Sequence, residues 1–151
     1  LALFAVILGL ADRYSKRTKT IENITLDDGL LLGLGQALAL IPGVSRSGGT
    51  ITVGLILGYT REAAARVSFL LAIPAVVASG FYQIAKSGGQ GTLEFGPTAV
   101  GTIVSFVVGY AVIVWFLKIV SNYSYIPFVI YRILLAGAVV ALLAGGALSV
   151  F

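Results

Sequence analysis

Three apolar stretches, each about twenty residues long, most constrain what this sequence can fold into. They occupy 67–85, 97–117 and 126–148, and each is long enough to cross a hydrocarbon layer of roughly 30 Å as an α-helix. The 151 residues include only ten basic and six acidic side chains, and 58% of them are hydrophobic. So few charges cannot cover the outside of a water-soluble domain of this size. The sequence therefore predicts an all-α, polytopic membrane helical bundle.

The remainder of the chain divides into shorter segments. Residues 1–11 are apolar but too short to span a bilayer, and we interpret them as the end of a truncated transmembrane helix. Residues 12–28 are polar and are predicted to form a cytoplasmic loop. The whole range 1–151 is interpreted as a single membrane domain, a fragment of a longer chain. Its basic residues are scattered around apolar segments, so they do not indicate nucleic-acid binding.

The apolar segment at 29–57 is interrupted by the sequence PGVSRSGG at positions 42–49. Proline removes a backbone donor and glycine weakens a helix, and a simple kink needs fewer such residues than this. The segment is therefore either one kinked spanning helix or two half-helices that meet at a loop inside the membrane. Broken backbone at that depth persists only where protein buries it or where it lines a wet cavity.

Positive charge favours the second alternative. If the segment spans, five Lys and Arg residues lie on one side of the membrane and three on the other. If it turns back, only Lys86 remains on one side and seven residues lie opposite: Arg13, Lys16, Arg17, Lys19, Arg61, Arg66 and Lys118. The positive-inside rule therefore predicts a re-entrant helix-loop-helix at 29–57 that enters from the cytoplasm.

Arg46 lies near the middle of this segment, where burying an arginine costs about 2.5–3.5 kcal/mol, so we expect it to be buried and either paired or functional. Ser45 and Ser47 offer hydroxyl groups, and Gly43 and Gly48 permit close approach of the backbone. A helix that begins at about position 49 directs its free N–H groups at the same loop. This combination fits a phosphate. The alternative is that Arg46 bonds loop carbonyls and holds the break together.

Several other polar residues have open or structural interpretations. Gln36 faces either the cavity or a neighbouring helix, and Ser68 either supports the site or bonds its own helix backbone. Arg61 and Arg66 are predicted to anchor the chain at the membrane interface, and the alternative is that they meet a lipid headgroup. Arg132 either is buried and paired or reaches the interface. Asp27 and Asp28 are predicted to cap the first half-helix.

The chain has no histidine or cysteine, and its acidic residues fall in connectors or at segment ends. It therefore offers no obvious intramembrane general base and no metal cage, and metal ligands among these residues are not predicted. If the protein is a hydrolase, we expect the group that handles the proton, and any metal ligands, to lie in another part of it.

Residues 36–48, QALALIPGVSRSG, resemble the second signature motif of the bacterial undecaprenyl-diphosphate phosphatases of the bacitracin-resistance type. Residues 58–74 are similar to the next block of that family, and Tyr131-Arg132 to a C-terminal one. Val44 stands where the family often has threonine. The resemblance implies two inverted repeats, each with a re-entrant hairpin, of which this chain is the C-terminal one.

The resemblance also implies an activity, which is hydrolysis of undecaprenyl diphosphate to undecaprenyl phosphate and inorganic phosphate. This reaction recycles the lipid carrier for cell-wall synthesis at the bacterial plasma membrane. Arg46 is implied as the catalytic phosphate-binding residue, with Ser45 and Ser47 beside it. The family further implies a divalent cation, Mg²⁺ or Ca²⁺, with ligands in the N-terminal half.

Two further expectations concern partners and activity. The expected partners are the polyprenyl diphosphate and the bilayer. A homodimer is compatible with the sequence. The 151-residue chain is expected to be inactive alone. An alternative function is half of a prenyl-phosphate transporter or flippase that binds the same lipid without hydrolysis, because a broken helix with an anion site also suits transporters.

Overall fold

The computed structural model describes residues 2–41, 43–87 and 95–145, and these residues are predominantly helical. The helices are α1 (Ala2–Tyr14), α2 (Leu26–Ala37), α3 (Arg46–Ile56), α4 (Arg61–Ser87), α5 (Phe95–Asn122) and α6 (Ile126–Ala144). Short 3-10 turns precede α2 at Ile21–Asn23 and follow it at Leu38–Leu40. No β-strand occurs within the described ranges, which confirms the all-α prediction.

Helices α4, α5 and α6 are each long and apolar enough to cross a membrane. Most of their large hydrophobic side chains are exposed, and a soluble monomer rarely exposes apolar surface on this scale. The chain is therefore a multi-pass membrane protein. Helices α4 and α5 extend several residues beyond the predicted 67–85 and 97–117, because the polar turns that flank the apolar cores continue the helix. Positions 146–148 of the last predicted span lie outside the described residues.

Helices α2 and α3 form an antiparallel hairpin. Near the break, a Cβ added to Gly35 would come within 2.7 Å of Val53, and one added to Gly49 would collide with the carbonyl oxygen of Gly35. At the opposite end, the Tyr59 hydroxyl donates a 2.7 Å hydrogen bond to Asp28, in the first turn of α2. The outer ends of both helices therefore lie together. The segment is broken rather than continuous, and the depth of the hairpin in a bilayer stays a prediction.

The polar stretch at 12–28 is more ordered than the predicted loop. Its first residues complete α1 and its last ones begin α2. Between them, the Lys19 N–H donates to Gly58 and the Lys19 carbonyl accepts from Thr60, both at 2.9 Å. The N-cap of α2 is Thr25, whose hydroxyl accepts from the Asp28 N–H, so the prediction of aspartate caps was wrong.

Asp12 is a buried acidic residue that joins three parts of the bundle. Its side chain is 2% exposed and accepts hydrogen bonds of 2.6 and 3.0 Å from Arg61 at the start of α4. The Tyr125 N–H, just before α6, donates to the same carboxylate at 3.1 Å, and Arg17 donates to the Asp12 carbonyl oxygen. Arg61 is therefore an internal ion-pair partner and not the interface anchor that the sequence predicted.

Asp28 anchors the base of the hairpin in a similar way. Lys19 lies 3.2 Å from its carboxylate, and the Tyr59 ring is 1% exposed. Burial, together with the bond to Asp28, raises the pKa of Tyr59 to about 12, and the bond from Tyr59 lowers the pKa of Asp28. The tyrosine hydroxyl therefore remains a donor and the carboxylate an acceptor at neutral pH.

We expect Asp12→Asn to lower the free energy of unfolding by about 3–5 kcal/mol, because it leaves the Arg61 guanidinium mostly buried without its counter-charge. Equilibrium unfolding in mixed detergent micelles measures this loss. Glu62→Gln is the matched control, since Glu62 pairs with Arg66 on the exposed side of the same helix end and its loss costs about 1 kcal/mol or less. Equal effects of the two changes would contradict the anchoring role of Asp12.

Candidate functional site

The loop between the hairpin helices ends in the N-terminus of α3. This helix begins at Arg46, earlier than the predicted start near 49, because Ser45 caps it. The Ser45 hydroxyl accepts from the Gly48 N–H at 3.3 Å, and the Ser45 carbonyl accepts from Gly49. The N–H groups of Arg46 and Ser47 lie in the first turn, where a helix offers no acceptor of its own, so they can donate to water or to a ligand.

The predicted hydroxyl groups lie together at this helix end. Ser45 Oγ and Ser47 Oγ are 3.2 Å apart. Gly43 takes a φ of 88°, which strains any residue with a side chain, so glycine lets the chain reverse just before the cap. Pro42, the first residue of the interruption, lies outside the described residues. The loop thus presents two hydroxyls and two N–H groups in one turn.

Arg46 is exposed on this chain, so the expectation of a buried guanidinium was wrong. It lines an open cavity of about 360 Å³ between α2, the turn that follows it, and α4. As the first residue of α3, it projects from the helix end instead of packing into the hairpin. A guanidinium that faces an open cavity is available to a ligand, whereas one bonded to loop carbonyls would not be.

Gln36 lines the same cavity. Its Nε2 donates to the Leu71 carbonyl oxygen at 3.1 Å, and its Oε1 is buried without a hydrogen-bond partner. The contact with Leu71 fixes which end of the amide points away from α4, so the free atom is an acceptor. Gln36 therefore contacts a neighbouring helix and also lines the cavity, which are the two placements that the sequence left open.

Ser68 and Ser79 of α4 differ in their relation to the cavity. Ser79 lines it and donates to its own helix at Ala75, at 2.8 Å. Ser68 is 3% exposed and does not line it, because it lies about two helical turns before Ala75. A supporting role for Ser68 stays a prediction.

Arg132 is the residue whose role the sequence left open. It lies on α6, and its Nη1 atom is 3.1 Å from the position that a Cβ on Gly48 would take, beside the Ser45 side chain. Glycine at position 48 is what allows this approach. The available signal was an arginine within an apolar span, but nothing in the sequence indicated which loop it would reach.

The positive charge at this loop is not neutralised by the chain's described part. Within the described ranges, the ion pairs join Asp12, Asp28 and Glu62 to cations at the other end of the hairpin. None of these pairs involves Arg46 or Arg132. Arg46 begins α3, and Arg132 reaches Gly48 in the same first turn. Such a site attracts an oxyanion, and bidentate geometry suits a phosphate.

A divalent cation does not fit the described residues of this chain. They contain no group of three acidic or imidazole ligands, and the carboxylates of Asp12, Asp28 and Glu62 are engaged in ion pairs. The hard oxygen ligands that Mg²⁺ or Ca²⁺ prefers are therefore not gathered near Arg46 within the described ranges.

Comparison with known proteins agrees with the motif. The family model described as bacitracin resistance protein BacA matches residues 1–139. Over 99% of the chain, it is 61% identical to an undecaprenyl-diphosphatase of Kineococcus radiotolerans and 57% identical to one of Micrococcus luteus, covering 53% and 55% of those proteins. An undecaprenyl-diphosphatase 2 of Agrobacterium fabrum is 55% identical and covered to 54%. The chain thus spans about half the length of these curated relatives.

Proposed function

The chain belongs to the family of bacitracin resistance proteins, BacA, and we propose that it forms the phosphate-binding half of a bacterial undecaprenyl-diphosphate phosphatase. The complete enzyme hydrolyses undecaprenyl diphosphate to undecaprenyl phosphate and inorganic phosphate and so recycles the cell-wall lipid carrier. The observation that carries this proposal is that Arg46 begins the capped end of α3 and lines an open cavity, while Arg132 of α6 reaches Gly48 in the same helical turn. Membership of the family and three helices able to span a membrane place the protein in the bacterial inner membrane.

In this proposal Arg46 binds the diphosphate through two parallel N–H groups. As the terminal phosphoryl group separates from the lipid phosphate, negative charge grows on the oxygens that the guanidinium contacts, so the interaction strengthens toward the transition state. The free N–H groups and the Ser45 and Ser47 hydroxyls supply further donors. Arg132 neutralises the second phosphate from the α6 side.

Gln36 is a positioning residue in this arrangement. A phosphate oxygen is an acceptor, so the free Oε1 of Gln36 cannot bind it without a proton between them. The same atom is well suited to accept an N–H from the Arg46 guanidinium. We therefore assign Gln36 to holding Arg46 against the ligand.

The other catalytic parts are assigned to the portion of the enzyme that this chain does not span. That portion supplies the general base and the ligands of a divalent cation, which when bound neutralises phosphate charge as a Lewis acid. In support, the acidic side chains of Asp12 and Asp28 are committed to anchoring the bundle. The chain alone is therefore proposed to bind phosphate without hydrolysing it.

We further propose that the hairpin is re-entrant and that its tip lies near the bilayer midplane. Helix α3 has 11 residues, which amounts to about 16 Å, or half of a roughly 30 Å hydrocarbon core. The contacts of Asp12 with Arg61 and of Lys19 with Gly58 gather the connectors at one end of the bundle. This grouping supports the prediction that seven Lys and Arg residues lie on one side of the membrane and only Lys86 on the other.

We expect Arg46→Lys in the full-length protein to lower kcat about 100-fold, because lysine keeps the charge but not the paired donors. Release of inorganic phosphate from undecaprenyl diphosphate in detergent micelles measures this. Arg13→Lys, at an exposed arginine near the end of α1, is the control and leaves turnover unchanged. Near-normal turnover of Arg46→Lys would remove it from the mechanism, and a wild-type protein that moves the lipid without releasing phosphate would favour the transporter.

We expect Arg132→Gln to weaken competitive inhibition by inorganic phosphate about tenfold, since it removes one charged donor from the phosphate site. The inhibition constant is compared with that of Arg13→Gln, which loses the same charge far from the loop. A purely structural Arg132 would instead lower the unfolding temperature and leave the inhibition constant as it is.

Single cysteines test the topology, because the chain has none of its own. We expect Lys16→Cys and Ser121→Cys to resist an impermeant maleimide on intact spheroplasts, whereas Lys86→Cys reacts, in full-length protein whose other cysteines are removed. All three positions are exposed. If 29–57 spanned the membrane instead, positions 16 and 86 would lie on the same side and give the same result, and position 121 would give the opposite one.

A further inference from the structure

A second cavity lies between α4 and α5. It has a volume of about 700 Å³, within the range of roughly 300–1,000 Å³ typical of ligand sites. Its walls are apolar and include Phe69, Ile73 and Val77 of α4 and Ile113 and Leu117 of α5. None of its lining residues lines the Arg46 cavity, so the two are separate sites.

One end of this cavity is basic. Arg66 and Leu117 line both the apolar cavity and an adjoining recess of about 300 Å³, which Glu62, Lys118 and Ser121 also line. An apolar groove thus opens into a polar recess that contains two cations and one carboxylate.

The two cations are available to an external anion. Arg66 lies 2.7 Å from Glu62, but the two side chains are 52% and 40% exposed, and such pairs contribute little. A guanidinium also has donors that one carboxylate does not use. Lys118 has no ion-pair partner within the ranges that the structure describes.

We propose that this groove binds an anionic phospholipid, with an acyl chain along α4 and α5 and the phosphate at Arg66 and Lys118. The groove suits a hydrocarbon chain, and the recess keeps a net positive charge beyond Glu62. Both cations belong to the group of seven on the basic side, where basic pockets between transmembrane helices recognise anionic head groups. The proposal does not depend on Arg46 or on hydrolysis.

Native mass spectrometry of the full-length protein in an uncharged detergent tests the head group. We expect one phosphatidylglycerol to bind about tenfold more tightly than phosphatidylcholine with the same chains. Arg66→Gln with Lys118→Gln removes this preference. Arg13→Gln with Lys16→Gln is the control, because it loses the same charge at the same end of the bundle and leaves the preference intact.

A second variant tests the acyl chain. Ile73→Trp fills the groove, so we expect it to abolish binding of both lipids, and glycerol phosphate without chains does not bind to the wild type. Equal affinity of the wild type for the two lipids would overturn the proposal, as would an equal loss in the control variant or retained binding in Ile73→Trp. A wild type that binds neither lipid would show that another segment covers the groove. The wild-type comparison stands even if a variant fails to fold.

Discussion

The close contact of α2 with α3 at Gly35 and Gly49 is the constraint on which the rest of the structure depends. Two short helices that meet at a break leave unpaired backbone groups there, and these must be satisfied by other groups. Because neither glycine has a side chain, the helices can lie directly against each other near the break. The Ser45 cap then satisfies the Gly48 N–H at the start of α3.

Paired and unpaired charges lie at opposite ends of the hairpin in the part of the chain that the structure describes. At its base, Asp12 and Asp28 are paired with Arg61 and Lys19, so these groups contribute to stability and are not free for chemistry. At its tip the arginines have no such partners in the described ranges. An ion pair fixes a fold when both members are built in, and it makes a binding site when one member must come from outside.

The sequence predicted the helical class, the three spans and the break, because these follow from apolar length and from proline and glycine. It also predicted the loop around Arg46 from residue chemistry. It did not predict the Asp12–Arg61 pair or the approach of Arg132 to Gly48, since each joins residues far apart in the chain whose contact depends on helix packing. The exposure of Arg46 was missed because membrane depth was equated with burial.

The reach of Arg132 from the last helix to the hairpin loop has a consequence for the energetics of the fold. The Nη1 atom of Arg132 lies against the first turn of α3, so a positive guanidinium faces the positive end of that helix dipole, and this opposes the contact. An anion bound between the two would offset that repulsion, and any ligand that binds only the folded chain stabilises it by mass action. Binding of an anion at this contact would therefore also raise the stability of the folded bundle.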